Sequence, residues 1–217
     1  MRGHPSPYGF DLVGSAFGQV AIDKIITGKQ IAPGDALIGL PASGVHANGL
    51  TLGRKALLED GGYSLEDTPP ELGGQSVGDV LLEPTVIYVK AVLALIESGI
   101  PVHGLSHITG GGLNNLLRLG SGIGYSIVER LPVPPVFGLV AEKAQVPASE
   151  MWEVFNMGCG LVATVPADQA GAAVELLSGF HPGTAVIGSV TDNAGIVELP
   201  ALGIRNDPVS GKLVSVG

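Results

Sequence analysis

The chain has 217 residues, 45% of them apolar, and a formal net charge of −9 from 11 basic and 20 acidic side chains. That balance excludes a general nucleic-acid surface, which needs clustered Lys and Arg, and the single cysteine, Cys159, excludes an internal disulfide and fits a reducing compartment. Mean hydropathy is high at +0.41, yet no run reaches the roughly 18 uninterrupted apolar residues of a membrane helix. The best candidate, residues 86–102, is broken by Lys90, Glu97, Gly99 and Pro101. The expectation is a soluble, cytoplasmic chain without a signal peptide. It has enough length for a sizeable core, or an apolar face that another domain or subunit covers.

In chain order, residues 1–9 read as a loop. Residues 12–20 read as a strand, with Gly14 and Gly18 allowing close backbone approach. Residues 22–26 form a short helical or turn segment. Residues 35–40 are a compact buried strand between Pro33-Gly34 and Pro41. A helix follows over 50–59 and ends at Asp60-Gly61-Gly62. Residues 63–78 are polar, with Pro69-Pro70 and Gly73-Gly74, and read as a surface excursion. A helix over 84–96 has Pro84 in its first turn and Val89, Val92, Leu93 and Ile96 on one apolar stripe. Strands over 102–107, 124–128, 158–165 and 184–190 alternate with helices over 113–119 and 168–177. Short helices are expected within 133–152, and Asp207 to Lys212 reads as a hairpin turn. The expected class is α+β (α/β-like), a mixed sheet flanked by helices. Residues 1–9 are a leading remnant, 10–200 one domain, and 201–217 a C-terminal tail.

Two loops carry the chemistry. Residues 41–49 read Pro-Ala-Ser-Gly-Val-His-Ala-Asn-Gly, between a strand and a helix, where open sheets bind ligands. Ser43 offers a hydroxyl, and Gly44 allows close approach. His46 is a candidate acid, base or phosphate donor, and Asn48 could orient a ligand. The alternative is a tight turn with His46 satisfied by backbone. Residues 106–112 read Ser-His-Ile-Thr-Gly-Gly-Gly, with Thr109 as a helix N-cap. Glycines at 110, 111 and 112 each cost a helix about 1 kcal/mol relative to Ala. Exposed N–H groups for an anion would justify that cost, and so would a backbone crossing nearby. His107, Thr85, Tyr88, Lys90 and Asn156 are secondary candidates, whereas Met157 and Cys159 read as core. No metal-ligand, P-loop or nucleophile-elbow motif is present.

Taken together, several segments occur in a recognisable order: FDLVG at 10–14, GLPASGVHANG at 39–49 with Arg54-Lys55, LEPTVIYVK at 82–90, HITGGG at 107–112, and FNMG at 155–158. The chain resembles the C-terminal half of aminoimidazole ribonucleotide synthetase (phosphoribosylformylglycinamidine cyclo-ligase), over about residues 10–197. Single motifs also suit the wider ATP-dependent superfamily, which includes selenophosphate synthetase, thiamin-phosphate kinase and a hydrogenase maturation protein.

The resemblance implies ATP-dependent ring closure of formylglycinamidine ribonucleotide in purine synthesis, with Mg²⁺ offsetting phosphate charge. It puts the substrate side on Ser43, Gly44, His46 and Asn48, with His46 and Asn48 catalytic. Thr109, Gly110, Gly111 and Gly112 form the phosphate cradle. Most of the ATP and Mg²⁺ site is implied to lie on an N-terminal half, whose glycine-rich and acidic segments do not precede Phe10. The chain is therefore expected to need that half, or to act as a non-catalytic module binding a phosphorylated metabolite. Expected partners are a phosphorylated small molecule and either a second copy or the N-terminal half, with no nucleic acid and no membrane.

Overall fold

A computed structural model describes residues 13–216. The expected loop at 1–9, and the first three residues of the FDLVG segment, lie outside the described residues. The architecture grows from apolar runs bounded by turns. Ala36–Pro41 forms β1, Cys159–Val165 β4 and Ala185–Thr191 β5. β1 pairs antiparallel with both of the others. Every residue of β4 is buried, as befits a strand covered on both faces. Gly104–His107 forms β2, Gly124–Ile127 β3, Val197–Leu199 β6, Ile204–Asn206 β7 and Leu213–Ser215 β8.

Among the described residues these strands make one eight-stranded sheet in the order β2-β4-β1-β5-β3-β6-β7-β8. β3 and β6 pair in parallel and the other pairs are antiparallel. This is the mixed α+β sheet expected from the sequence. β2 lies at one edge of it.

The two-residue side-chain period sorts the core into two layers. Ile38 and Leu40 join Leu161, Ala163 and Val165 on one face. There they meet Ala91 and Leu95 of α3 (Val89–Glu97) and Ala173 and Leu177 of α6 (Ala170–Ser178). Leu37, Val162 and Ile187 line the opposite face. Beneath that face lie α4 (Pro135–Ala144) and α5 (Ala148–Val154), with the strand-to-helix loop that leads into α1 (His46–Arg54). No helix among the described residues is long and apolar enough to cross a membrane.

Several expectations are corrected. Residues 13–20 form no strand and are exposed throughout. No other segment of the described chain pairs with them, and a Cβ at Gly14 or Gly18 would meet nothing within 4 Å. The helix expected over 50–59 starts earlier, at His46, and closes as a π-helical turn, Lys55–Asp60. The excursion at 63–78 is partly folded. It holds a 3₁₀ turn, Pro70–Leu72, and leads into α2 (Val77–Leu82), which starts from a capping box between Ser76 and Asp79.

The helix expected over 84–96 begins only at Val89, so Pro84 is not in its first turn. Residues 83–88 instead stay non-helical, because Ser43 Oγ donates to the Pro84 carbonyl and Tyr88 Oη to the Pro41 carbonyl, both at 2.7 Å. The stripe also faces outward: Val89, Leu93 and Ile96 are exposed while Ala91 and Leu95 are buried.

The C-terminal turn does form a hairpin. Asp207 Oδ1 accepts the Val209 and Ser210 N–H groups, and β7 pairs with β8. Residues 201–216 are thereby joined to the same sheet, and Glu153 of α5 accepts the Leu213 N–H at 2.9 Å.

Candidate functional site

Four segments converge beside the carboxyl end of β1. The first is the loop after β1, where a register shift at Leu40/Pro41 turns the chain out of the sheet and into α1. His46 opens α1 with a positive φ of 54°, uncommon for a residue with a side chain and a mark of local constraint. The second is the chain after β2, through His107, Ile108 and Thr109. Ile108 N–H donates to the Gly160 carbonyl at 2.9 Å, tying this loop to β4. The third joins α5 to β4 through Phe155, Asn156, Met157 and Gly158, with φ of 47° at Met157 and 93° at Gly158. The fourth is the non-helical stretch 83–88, which brings Thr85 alongside. Val45, His46, Asn48, Thr85, His107 and Thr109 line a common cleft, with Phe155 and Asn156 at its back.

Asn156 is the structural tie of this cleft. It is 3% exposed. Its Nδ2 donates to the Gly44 carbonyl at 2.8 Å, and its Oδ1 accepts the Gly158 N–H at 2.8 Å. Both loops are thereby held by one amide. Tyr88, buried and bonded to the Pro41 carbonyl, stacks edge-on against His107 with ring centroids 6.1 Å apart. A Cβ at Gly160 would run into the Tyr88 hydroxyl and come within 3.2 Å of the His46 ring. Glycine at 160 is what lets the tyrosine and the histidine sit over β4.

The protonation of His46 follows from its partners. The backbone N–H groups of Ser43 and Val86 donate to Nε2 at 3.3 and 3.5 Å. Ser43 Oγ lies closer still, 3.1 Å from Nε2, so the donor and acceptor roles of the two ring nitrogens follow the tautomer. Nδ1 is buried with no partner among the described residues. Burial, and then the nearby His107, hold the imidazole below its usual pKa, so it is neutral at pH 7. A buried polar atom left unpaired costs about 1–3 kcal/mol. Cys159 offers no nucleophile, because complete burial pushes its thiol up to about 12.

The residues singled out in the sequence separate into three places. His46, Asn48 and Thr109 line the cleft. Gly110 lies directly under Asn48, whose Nδ2 is 3.1 Å from the position of a Cβ there. Ser43 and Gly44 border an adjoining hollow with Pro134, Pro135 and Glu83, and the Ser43 hydroxyl proton is already committed to Pro84. Gly111 and Gly112 fall behind the cleft. A Cβ at Gly112 would collide with the Trp152 carbonyl, so at this position a close backbone crossing accounts for the glycine.

Thr109 does not cap the following helix. The 3₁₀ helix Gly112–Arg118 starts from Gly111 in a left-handed conformation, and the Thr109 hydroxyl accepts from Asn115 Nδ2 at 3.4 Å. Sequence reasoning missed Asn115, a buried amide inside an otherwise apolar repeat, and Gly160. The polar interruption of the leucines at 113–117 was the available signal for Asn115. Met157 and Cys159 are buried in the core as expected.

No cluster of three His, Cys, Asp or Glu side chains that could hold a metal ion occurs among the described residues, and no Lys or Arg lines the cleft. The donor set is neutral. It suits a polar or anionic small molecule held by N–H, hydroxyl and imidazole groups, and does not fit Mg²⁺ or a whole triphosphate.

Comparison with known proteins matches residues 32–199 to the family described as AIR synthase related protein, C-terminal domain. Phosphoribosylformylglycinamidine cyclo-ligase of Thermococcus kodakarensis is 50% identical over 188 residues, which cover 87% of this chain and 53% of that protein. The enzyme of the same name from Methanobrevibacter smithii is 43% identical, with 86% of this chain and 54% of that protein covered. The chain spans about half the length of the curated relatives it matches. Among solved structures, a HypE–HypF complex superposes with a TM-score of 0.54 at 22% identity, covering 88% of this chain and 54% of that one. The hydrogenase maturation protein HypE gives 0.53 at 19% identity, covering 92% and 57%. These structures share the fold.

Proposed function

This chain belongs to the family of AIR synthase related proteins, as its C-terminal domain, and we propose that it is the substrate-side half of a phosphoribosylformylglycinamidine cyclo-ligase. The observation that carries the reading is the convergence of both glycine-rich loops on one neutral cleft lined by His46, whose buried Nδ1 has no partner among the described residues. The relatives named for this activity extend over about twice the length of the matched region. ATP and Mg²⁺ are assigned to their N-terminal half, because the cleft here has neither the cations nor the carboxylates for them. The reaction forms a ring C–N bond as the amide oxygen leaves with a phosphoryl group that ATP supplies.

In this reading the chain's own residues bind and orient. His46 meets a polar group of the substrate with its ring, which the loop at Ser43 and the Val86 backbone hold in place through Nε2. Asn48 and Thr109 contact the ribonucleotide's polar groups, and Gly110 allows its phosphate near the backbone. Asn156 acts at one remove, as a positioning residue for the Gly44 and Gly158 segments. The family match over residues 32–199 contains both glycine-rich loops and Asn156.

The test joins this full chain to the preceding half of the Thermococcus relative and assays ring closure with formylglycinamidine ribonucleotide and ATP. Turnover by the joined protein supports the reading. His46→Ala should then lower turnover by about 100-fold or more, the usual scale for a positioned proton donor. Unchanged turnover in that variant refutes the role given to His46. Tight ribonucleotide binding without turnover in the joined protein would instead identify a binding module.

A further inference from the structure

The turn between α6 and β5, His181-Pro182-Gly183-Thr184, belongs to neither glycine-rich loop and does not line the cleft. Its backbone is nonetheless firmly held. His181 N–H donates to the Leu177 carbonyl in the last turn of α6 at 2.9 Å. The His181 carbonyl accepts the Thr184 hydroxyl at 2.7 Å and the Thr184 N–H at 3.2 Å. Gly183 takes a φ of 94°, which lets the chain double back this sharply. The His181 side chain therefore projects from a fixed base.

That side chain meets Tyr88. The two ring centroids are 5.0 Å apart and the planes are inclined at 51°, the separation of a tilted aromatic pair. Tyr88 is shared by two imidazoles, since its ring also stands edge-on to His107 at 6.1 Å. Its hydroxyl donates to the Pro41 carbonyl at 2.7 Å. Over Gly160 that hydroxyl and the His46 Cε1 crowd the space a single Cβ would need. The turn reaches the same place a second time, because a Cβ at Gly183 would lie 3.4 Å from Pro41 Cγ. Burial holds the His181 imidazole below its usual pKa, so it packs as a neutral ring at pH 7.

We propose that His181 is a positioning residue for the cleft: its ring seats Tyr88, and through Tyr88 it sets the Pro41 carbonyl at the root of the first loop and the His107 ring in the second. Tyr88 ends the non-helical stretch 83–88, so no helical hydrogen bonds on its upstream side hold it. The bond to Pro41 pins the tip of the side chain and leaves the ring free to rock about that tip. A ring packed on its flank removes that freedom. His181 supplies the flank from a turn whose own backbone cannot yield. The role holds for whatever ligand the cleft takes, and its consequence for turnover rests on the reading of this chain as the substrate-side half of a cyclo-ligase.

Ring NMR of the histidines in this 217-residue chain tests the proposal directly. The groups that face the His46 ring are the Ser43 hydroxyl, the Ser43 and Val86 N–H groups, His107, and Tyr88 over Gly160. Burial holds the His46 midpoint below 6.5, and a Tyr88 ring without its flank lets water reach that wall. His181→Ala should therefore raise the His46 midpoint by about half a pH unit and shift the His107 ring signals. His181→Phe, which restores a flat ring against Tyr88, should return both to their original values. His181→Gln, polar and not aromatic, should resemble the Ala variant. Urea unfolding confirms that each variant is folded, and if Ala is not, the Phe and Gln variants decide. A His46 midpoint that stays put in the Ala and Gln variants overturns the proposal, and so does a Phe variant that restores nothing.

The joined protein provides the second arm. There His181→Ala should raise KM for the ribonucleotide several-fold and lower kcat by less than about two-fold, because His181 shapes the cleft and touches no reacting atom. His181→Phe should recover KM. A fall in kcat at unchanged KM overturns the positioning role. Ring closure by the joined protein with an unmoved His46 midpoint in the variants would sink the role of His181 alone. A moved midpoint in a joined protein that never closes the ring would sink the functional reading alone.

Discussion

Replacing Asn156 by Ala removes one amide that holds two loops. Both of its hydrogen bonds are 2.8 Å long, and the side chain is 3% exposed. The substitution leaves the Gly44 carbonyl and the Gly158 N–H without partners in the interior. An unsatisfied buried group costs about 1–3 kcal/mol. Water entering the space left by the amide would recover part of this, so the total loss is about 2–4 kcal/mol. With a urea m-value of about 2 kcal/mol/M, the unfolding midpoint falls by about 1–2 M.

Equilibrium urea unfolding, followed by the fluorescence of the single Trp152, measures it. Asn156→Asp is the informative companion. It keeps the acceptor for Gly158 N–H but sets a carboxylate oxygen against the Gly44 carbonyl, so at neutral pH it should cost at least as much as Ala. A midpoint shift below about 0.25 M for the Ala variant, with m unchanged, would refute the claim that Asn156 ties the loops together. In the joined protein the same variant should raise KM more than it lowers kcat, because Asn156 shapes the loop and touches no reacting atom.

Two of the three glycines of the 110–112 run should behave differently. Gly112→Ala combines a φ of 51° with a collision against the Trp152 carbonyl and should cost about 2–4 kcal/mol in thermal or urea unfolding. Gly110→Ala meets only the exposed Asn48 amide at 3.1 Å and should cost under about 1 kcal/mol. His46 sets a pH dependence. Its folded pKa lies below the unfolded value near 6.5, so the unfolded chain binds the extra proton and stability falls as pH drops below about 6.5 towards the folded value. His181, also lowered by burial, adds to the same slope. Melting temperature measured between pH 7.5 and 5 should decline, and His46→Gln should flatten the decline; an unaltered slope would refute the assignment. Ser76→Ala removes the capping box of α2 and should cost about 1 kcal/mol in urea unfolding.

The buried central strands were legible because their signal is local, whereas the apolar residues at 13–20, read as a strand, form none. Residues 35–40 and 158–165 are apolar runs closed by proline or glycine, and a fully buried strand has few other sequence forms. The hairpin at 207–212 was equally local, with Asp207 placed to accept the N–H groups that follow it. What escaped notice depends on contacts distant in sequence. β6 is three residues long and exists because β3 and β7 flank it. The non-helical start of the 84–96 segment is set by Ser43 and Tyr88 reaching across to Pro84 and Pro41. Helix propensity and Pro84 pointed to a first turn there, and two long-range hydrogen bonds outweighed them.

The candidate cleft shows the same division. Its loops were visible as histidine and hydroxyl residues among glycines, but which glycine serves the ligand and which serves packing was not. Gly110 and Gly112 are two positions apart in sequence. One sits open beneath Asn48 and the other is pressed on Trp152.

The outward stripe of α3 is the most instructive difference, because the periodicity was real and its destination was not. Val89, Val92, Leu93 and Ile96 share a helical face, and the usual inference sends such a face to the domain core. The sheet is instead met by Tyr88, Ala91 and Leu95, spaced three and four residues apart on the opposite side. Ala91 is fully buried in that layer, where α3 also meets α6. Val92 still packs against that layer, and Val89, Leu93 and Ile96 are left exposed. Hydrophobic periodicity reports that a face is to be buried, and it does not report whether the cover lies within the domain or outside it.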